Sequence, residues 1–141
     1  MILNHDGQSY EITNWDEFKD TLLTAMGLQI EDEIVKQINS LRLVDTGKFK
    51  GSIKSVVQNG ELIITSNAPY AAKLEYGTMA YAKQFSDSYP TPPHTKKKFL
   101  SKKARDSLPK GMQPFAPFRR VLRNQNIMSR VINKAVKLAS K

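Results

Sequence analysis

Apolar residues return every three or four positions along the first third of the chain: Trp15, Phe18, Leu22, Met26, Ile30, Ile34, Ile38 and Leu41. That recurrence is one apolar stripe on a helix. Asp16, Glu17, Lys19, Asp20, Glu31, Asp32, Glu33 and Lys36 fall between and form the wet face. Asn14 followed by Glu17 has the spacing of a capping box, with Asn in place of the usual Ser or Thr. The spacing predicts a helix from Trp15 to Leu43, ~42 Å long at the α-helical rise. Gly27 costs about 1 kcal/mol against Ala inside a helix, so a break or kink is expected there. Gly47 supplies the stop.

The alternation elsewhere is shorter. Ile2, Leu3, Tyr10 and Ile12 flank Asp6-Gly7 and read as a small hairpin. Phe49, Ile53 and Val57 precede Asn59-Gly60, and Leu62-Ile63-Ile64-Thr65 follow it. Two β-rich runs around Asn-Gly predict a second hairpin, and the continuous apolar run predicts a strand near the middle of a sheet. Pro69 ends it. Residues 70–76 fit two helical turns before Gly77. Residues 79–112 hold Pro90, Pro92, Pro93 and Pro109 with few apolar side chains; they read as an extended arm or loop, in which part of 96–106 has helical character. From Pro117, a tolerated first-turn proline, Phe118, Val121, Leu122, Met128, Val131, Ile132, Ala135, Leu138 and Ala139 mark a second amphipathic helix reaching almost to the end. The expected class is α+β, a long N-terminal and a C-terminal helix packed on a small antiparallel sheet. One domain over residues 1–141 is expected, with the arm at 79–112.

Charge changes this picture. Residues 1–95 carry eight Lys/Arg against twelve Asp/Glu, whereas residues 96–141 carry fourteen against one. The basic third implies contact with a polyanion or an acidic protein surface, or else a solvated face. Absence of Cys excludes disulfides, thiolate metal sites and a cysteine nucleophile, and fits assembly in a reducing host cytoplasm. No apolar run approaches the ~20 residues that span a bilayer, and the first residues lack a signal-peptide pattern, so no membrane partner is expected.

Catalytic constellations are missing. His5 and His94 are the two histidines, and neither has metal-ligand spacing to a second His, so both read as solvated. Glu31-Asp32-Glu33 are consecutive on a helix and cannot converge on one point; solvation is their expected role. Ser107-Leu108-Pro109-Lys110 matches a Ser-x-x-Lys spacing without its companion motifs. No phosphate-cradling glycine loop occurs. The expectation is a non-enzyme with no cofactor, no metal and no catalytic residue.

Three segments stand out instead. The first is Asp45-Thr46-Gly47-Lys48-Phe49-Lys50-Gly51-Ser52-Ile53, a tight exit from the helix toward a strand. The second is Ala68-Pro69-Tyr70-Ala71-Ala72-Lys73-Leu74-Glu75-Tyr76-Gly77-Thr78, a strand end, small residues and a glycine stop. The third is Gln113-Pro114-Phe115-Ala116-Pro117-Phe118, whose two X-Pro steps deliver aromatic residues before a helix. In this order after a long helix, the blocks resemble a family of small tailed-bacteriophage proteins, the tail-component, neck and tail-completion or head–tail joining proteins. That family carries Thr-Gly-x-Leu-x-x-Ser-Ile, Tyr-Ala-x-x-Leu/Val-Glu-Tyr/Phe-Gly-Thr and Gln-Pro-Phe-x-x-Pro-Ala. The resemblance spans residues 15–140 with an insertion at 79–112. Phe49 departs from Leu, Gly51 loosens the first strand, and Phe118 and Arg119 stand where Pro and Ala are commoner.

The resemblance implies a structural virion protein of the neck or tail, built into a homo-oligomeric ring, six-fold by family analogy, through a head-to-tail interface that closes on rotation. It implies connector, tail-terminator or tail-tube proteins as neighbours, and DNA passing through the neck as a further contact. The motif residues it singles out are Thr46, Gly47, Ser52, Tyr70, Ala71, Glu75, Tyr76, Gly77, Thr78, Pro114 and Phe115. Turn and core chemistry explain Tyr70, Glu75, Tyr76, Gly77 and Thr78 as well as a subunit contact at Glu75 does; Phe115 and Phe118 fit core or interface. Lys96, Lys97, Lys98, Lys102, Lys103, Arg119, Arg120 and Arg123 are the candidates for polyanion or acidic-partner contact. The five lysines are expected to become ordered only on assembly. The alternative reading is a non-catalytic nucleic-acid-binding module.

Overall fold

The computed structural model describes residues 1–43, 48–85, 87–91, 93, 96, 100–108 and 111–140. Strands β1 (Ile2–His5) and β2 (Gln8–Glu11) form the first antiparallel hairpin. Helix α1 (Trp15–Ser40) follows, then the single turn α2 (Lys48–Gly51). Strands β3 (Ile53–Gln58) and β4 (Glu61–Ser66) form the second hairpin. Short helices α3 (Ala71–Tyr76), α4 (Met79–Gln84) and α5 (Lys102–Asp106) lead to α6 (Pro117–Leu122) and α7 (Gln125–Ala139). The α+β class expected from the sequence is the one observed.

Helix α1 begins as predicted: Asn14 sits in extended backbone and its side chain accepts from Glu17 N at 3.1 Å. The helix ends at Ser40 rather than at Leu43, with Leu41 as C-cap. It also runs through Gly27 without the break that was one of the two outcomes expected there. Gly27 is buried, and a β-carbon there would stand 2.7 Å from Ser55 Oγ and 2.9 Å from Leu62 Cδ1. The glycine is a contact surface on which the β3–β4 hairpin lies.

Both hairpins turn as the dipeptides require, with positive φ at Asp6 and Gly7 (51° and 75°) and at Asn59 and Gly60 (53° and 76°). The second hairpin differs from expectation in two respects. Phe49 belongs to α2, so the strand begins only at Ile53. The sheet has two strands, which makes β4 an edge rather than a central strand. Its apolar run is explained by packing: Leu62 and Ile64 rest against the core. Because Gln58 and Glu61 close a two-residue turn, Leu62 and Ile64 aim their backbone N–H groups away from β3, and among the described residues those groups meet no partner. The outer edge of β3 is closed in part, since Ser55 N donates to Glu31 Oε1 at 3.0 Å. Glu31 is therefore not merely solvated, as expected of that acidic run.

Ile30, Ile34, Ile38, Phe49, Ile53, Val121, Ile127 and Val131 form the central core. Helix α7 lies antiparallel along α1: Ile127 meets the Ile30–Ile38 end, and Leu138 and Ser140 share a cleft with Asn14, Glu17 and Phe18 at the other. The first hairpin is tied to this pair by His5 Nε2 and Asn133 Oδ1, 2.7 Å apart, so His5 is engaged rather than solvated. His94 lies outside the described residues. The expected single C-terminal helix is two helices. Its break falls at Arg123-Asn124, where the Asn124 side chain accepts from Asn126 N and Ile127 N and starts a new helix. The stretch at 79–112 carries α4 and α5, and Tyr81 of α4 is buried at 2% exposure, so part of the expected arm packs as core. Among the described residues no helix is long and apolar enough to cross a membrane.

Candidate functional site

The motif segments converge on one seam. Thr46 and Gly47 lie outside the described residues. From the rest of the first block, Ser52 Oγ donates to Phe49 O at 2.6 Å and lies 2.6 Å from Ser66 Oγ, which in turn accepts from Ala68 N. Phe49 meets Tyr70 edge-to-face at 5.9 Å between ring centres. Tyr70 and Ala71 pack, half-buried, against the core. The first block is thereby stitched to the start of the second.

The second and third blocks touch through backbone. Thr78 N donates to Met112 O at 2.9 Å, and Met112 N donates to Thr78 Oγ1 at 2.8 Å. Phe115 N and Ala116 N both donate to Leu74 O, at 2.8 and 3.2 Å. Gly77 lies under this crossing with φ +76°, and a β-carbon on it would meet Met112 O at 2.7 Å and Pro114 N at 2.9 Å. Both neighbours are backbone atoms with no side chain to yield, so the motif needs glycine here. Pro114 and Phe115 are buried.

Glu75 is the centre of the seam. Its carboxylate accepts from Phe118 N at 2.8 Å, from Arg119 N at 3.2 Å and from Arg119 Nε at 2.7 Å. Helix α6 starts at Ala116, which has no capping side chain and sits in left-handed backbone at φ 51°. The carboxylate of α3 therefore satisfies the orphan N–H groups of α6 and sits at the positive end of its dipole. Glu75 and Arg119 are both buried, and Arg119 Nη2 also donates to Glu75 O. The glutamate is enclosed within the subunit, which is the turn-and-core reading; its carboxylate is not offered to a neighbour.

Arg119 and Arg120 of α6 turn inward, away from the exposed face expected for them, whereas Arg123 at the helix end stays exposed. Arg119 Nη1 donates to Ser88 O at 3.3 Å, Arg120 Nη2 to Pro90 O, and Arg123 Nη1 to Asp87 O at 2.9 Å. Arg120 Nε also donates to Phe115 O at 2.6 Å. The Arg119 guanidinium lies 4.7 Å from the Tyr76 ring centre and 5.3 Å from that of Tyr89; Arg120 lies 4.6 Å from Tyr89. Segment 87–90 is thus a strap clamped to α6 by cations and one aromatic ring. Burial holds the Arg120 guanidinium below its usual range, while Tyr89 and Glu75 act the other way. Burial likewise raises the Tyr81 phenol.

The lysines divide. Lys96 Nζ donates to Arg42 O and lies 5.8 Å from the Phe115 ring centre, so it is engaged rather than free. Lys102 and Lys103 are exposed on α5, which Ser101 caps by accepting from Ala104 N. Lys97 and Lys98 lie outside the described residues. Sequence reasoning missed Tyr89 and the inward turn of the arginines; an arginine beside a glutamate in space leaves no linear signal at a separation of 44 residues.

Two large apolar side chains remain outward at the seam, beside the exposed Lys73. Tyr76 is 50% exposed and Met79 67% exposed, on either side of Gly77. Among the described residues no three His, Cys, Asp or Glu side chains gather as a metal group would require.

A family model described as "Bacteriophage HK97-gp10, putative tail-component" matches residues 8–77. The match takes in α1, the second hairpin and the second block up to Gly77, and ends before the third block. No curated protein and no solved structure matches the chain.

Proposed function

We propose that this chain, which belongs over residues 8–77 to the HK97-gp10-like family of phage tail components, is a virion subunit that assembles with its own copies into a ring at the neck or the tail end. The observation that carries the reading is the seam. Its buried charges, Glu75 and Arg119, are satisfied within the subunit, while Tyr76 and Met79 stay in solvent on a platform braced by Gly77 and that pair. An exposed apolar pair on such a platform has the makings of the centre of a protein–protein contact. The β4 edge, with its outward N–H groups, is a second surface unlike the first. Two different surfaces on one chain allow head-to-tail contacts, and those close into a ring when the rotation per copy divides the circle. Connector, tail-terminator or tail-tube proteins are the neighbours such a ring would join, and a six-fold ring matches the symmetry of tails.

The role is structural rather than catalytic. The geometry around Glu75 is made of interior hydrogen bonds, which position a helix.

The test is genetic and hydrodynamic. Removing the gene is expected to leave filled heads and tails unjoined, or tails with defective ends, by electron microscopy. Met79→Asp in the purified chain is expected to lower its native mass to that of a monomer while its circular dichroism is unchanged. Infectious particles of normal form from the deletion would overturn the reading.

A further inference from the structure

We propose that the exposed side of α7 is a docking strip for the phosphate backbone of duplex DNA, with Arg130, Lys134 and Lys137 as its contacts. The inference goes beyond the ring reading, because it rests on the charges of the single chain and needs neither a ring nor a position in the virion.

The sequence points to a basic C-terminal third, and the structure redistributes that charge. Arg119 and Arg120, buried and half-buried, are bound to the backbone carbonyls of Ser88 and Pro90; the exposed Arg123 is held on Asp87 O and Lys96 on Arg42 O. Arg130, Lys134 and Lys137 are exposed, and none has an ion-pair partner among the described residues. Their spacing of four and three residues sets them on one side of the helix, spread over ~10 Å at the α-helical rise. Beside this row runs the buried stripe of the same helix, Ile127, Val131, Ala135 and Val136. The strip is therefore anchored by its own helix and presents its cations in a fixed row. Gln125–Ala139 contains neither Asp nor Glu, so nothing on α7 neutralises them.

The choice of partner follows from the balance of charge. The exposed acids Asp16, Glu17 and Asp20 of α1 on a second copy are one conceivable mate. Each copy carries +9, however, and pairing acids with bases between copies leaves that excess intact. Every added copy would increase the repulsion. Duplex DNA carries one negative charge per ~1.7 Å of axis and absorbs such an excess by releasing counterions. Two of the three contacts are lysines, point charges suited to phosphates of any sequence. Binding of this kind is sequence-independent.

The experiment uses the full chain and a fluorescent duplex of mixed sequence, with anisotropy read across a salt series. Binding is expected to weaken steeply with salt. In Arg130→Gln/Lys134→Gln/Lys137→Gln it should weaken by about tenfold or more at low salt, and the slope of log K on log salt should become shallower by ~2.7, about 0.9 for each lost phosphate contact. Circular dichroism confirms that the variant folds. Independently of any variant, DNA should protect Lys134 and Lys137 of the unaltered chain from acetylation, read by mass spectrometry. An unchanged affinity and slope in the variant, or equal acetylation with and without DNA, would overturn the proposal. So would polyglutamate binding as tight as DNA binding, which would make the strip a site for an acidic protein. A gene deletion that yields normal particles removes the ring reading and leaves this result standing, and loss of this result leaves the ring reading intact.

Discussion

The Glu75 carboxylate lies 2.7 Å from Arg119 Nε and also takes the backbone N–H groups of Phe118 and Arg119, so one side chain of α3 serves as both ion-pair partner and helix cap for α6. Removing one member of a buried pair strands the other. Glu75→Ala is expected to destabilise the chain by about 3–5 kcal/mol, read as a lower urea midpoint. Glu75→Leu combined with Arg119→Met is expected to recover part of that loss, because neither charge is then left buried alone. An additive loss in the double variant would show that the two residues act separately.

Gly77 faces backbone on the side where any other residue carries its β-carbon. Gly77→Ala adds a methyl group 2.7 Å from Met112 O at φ +76°. With ψ at −176° this backbone is open essentially to glycine alone and costs another residue about 1–3 kcal/mol, with overpacking about 1–3 kcal/mol more. The expected result is a lower thermal midpoint together with faster proteolysis between residues 105 and 115, where the third block has been pushed off Thr78. A midpoint equal to that of the parent chain would show that the crossing relaxes freely.

Gly27→Ala tests opposing effects. Helix propensity favours alanine by about 1 kcal/mol, whereas the new methyl meets Ser55 Cβ at 2.9 Å and overpacking costs about 1–3 kcal/mol. Destabilisation is expected, and Ser55→Gly in the same chain should relieve part of it, the contact with Leu62 Cδ1 at 2.9 Å remaining. A stabilised single variant would mean that the hairpin does not rest on Gly27.

Asn124 separates α6 from α7 by capping the latter. Asn124→Ala is expected to cost about 0.5–2 kcal/mol, while Asn124→Asp should retain the cap and gain from the helix dipole. Denaturant midpoints of the two variants give the comparison.

Much of this molecule is legible in one dimension. The stripe from Trp15 to Leu41 and the Asn14 cap fix α1 within a few residues, and Asp6-Gly7 and Asn59-Gly60 fix both hairpins, because helix period and turn chemistry are local. What distance hides was not legible. Gly27 reads as a helix breaker until the hairpin is laid on it. Arg119 reads as a surface cation until Glu75, Tyr76 and Tyr89 surround it. The continuous run at Leu62–Ile64 reads as a central strand because burial by a helix and burial by neighbouring strands leave the same apolar signature. At the seam, the blocks were visible as segments, but their mutual stitching through Leu74 O, Met112 O and Ser66 Oγ involves atoms that sequence composition does not mark. The row Arg130, Lys134, Lys137 is legible from spacing alone as the basic surface of the last helix, since no acid interrupts it.

The flank of β4 that no described residue pairs with bears on how such a subunit is stored before use. Glu61–Ser66 contains no lysine and no proline, the residues that commonly guard a bare ladder against stray strands. A free copy is a template for any extended chain of matching reach, whether a proper neighbour or another unemployed copy. Overproduction without the other virion components is therefore expected to fill the cell with clumped material, and timely incorporation is what keeps the pool soluble.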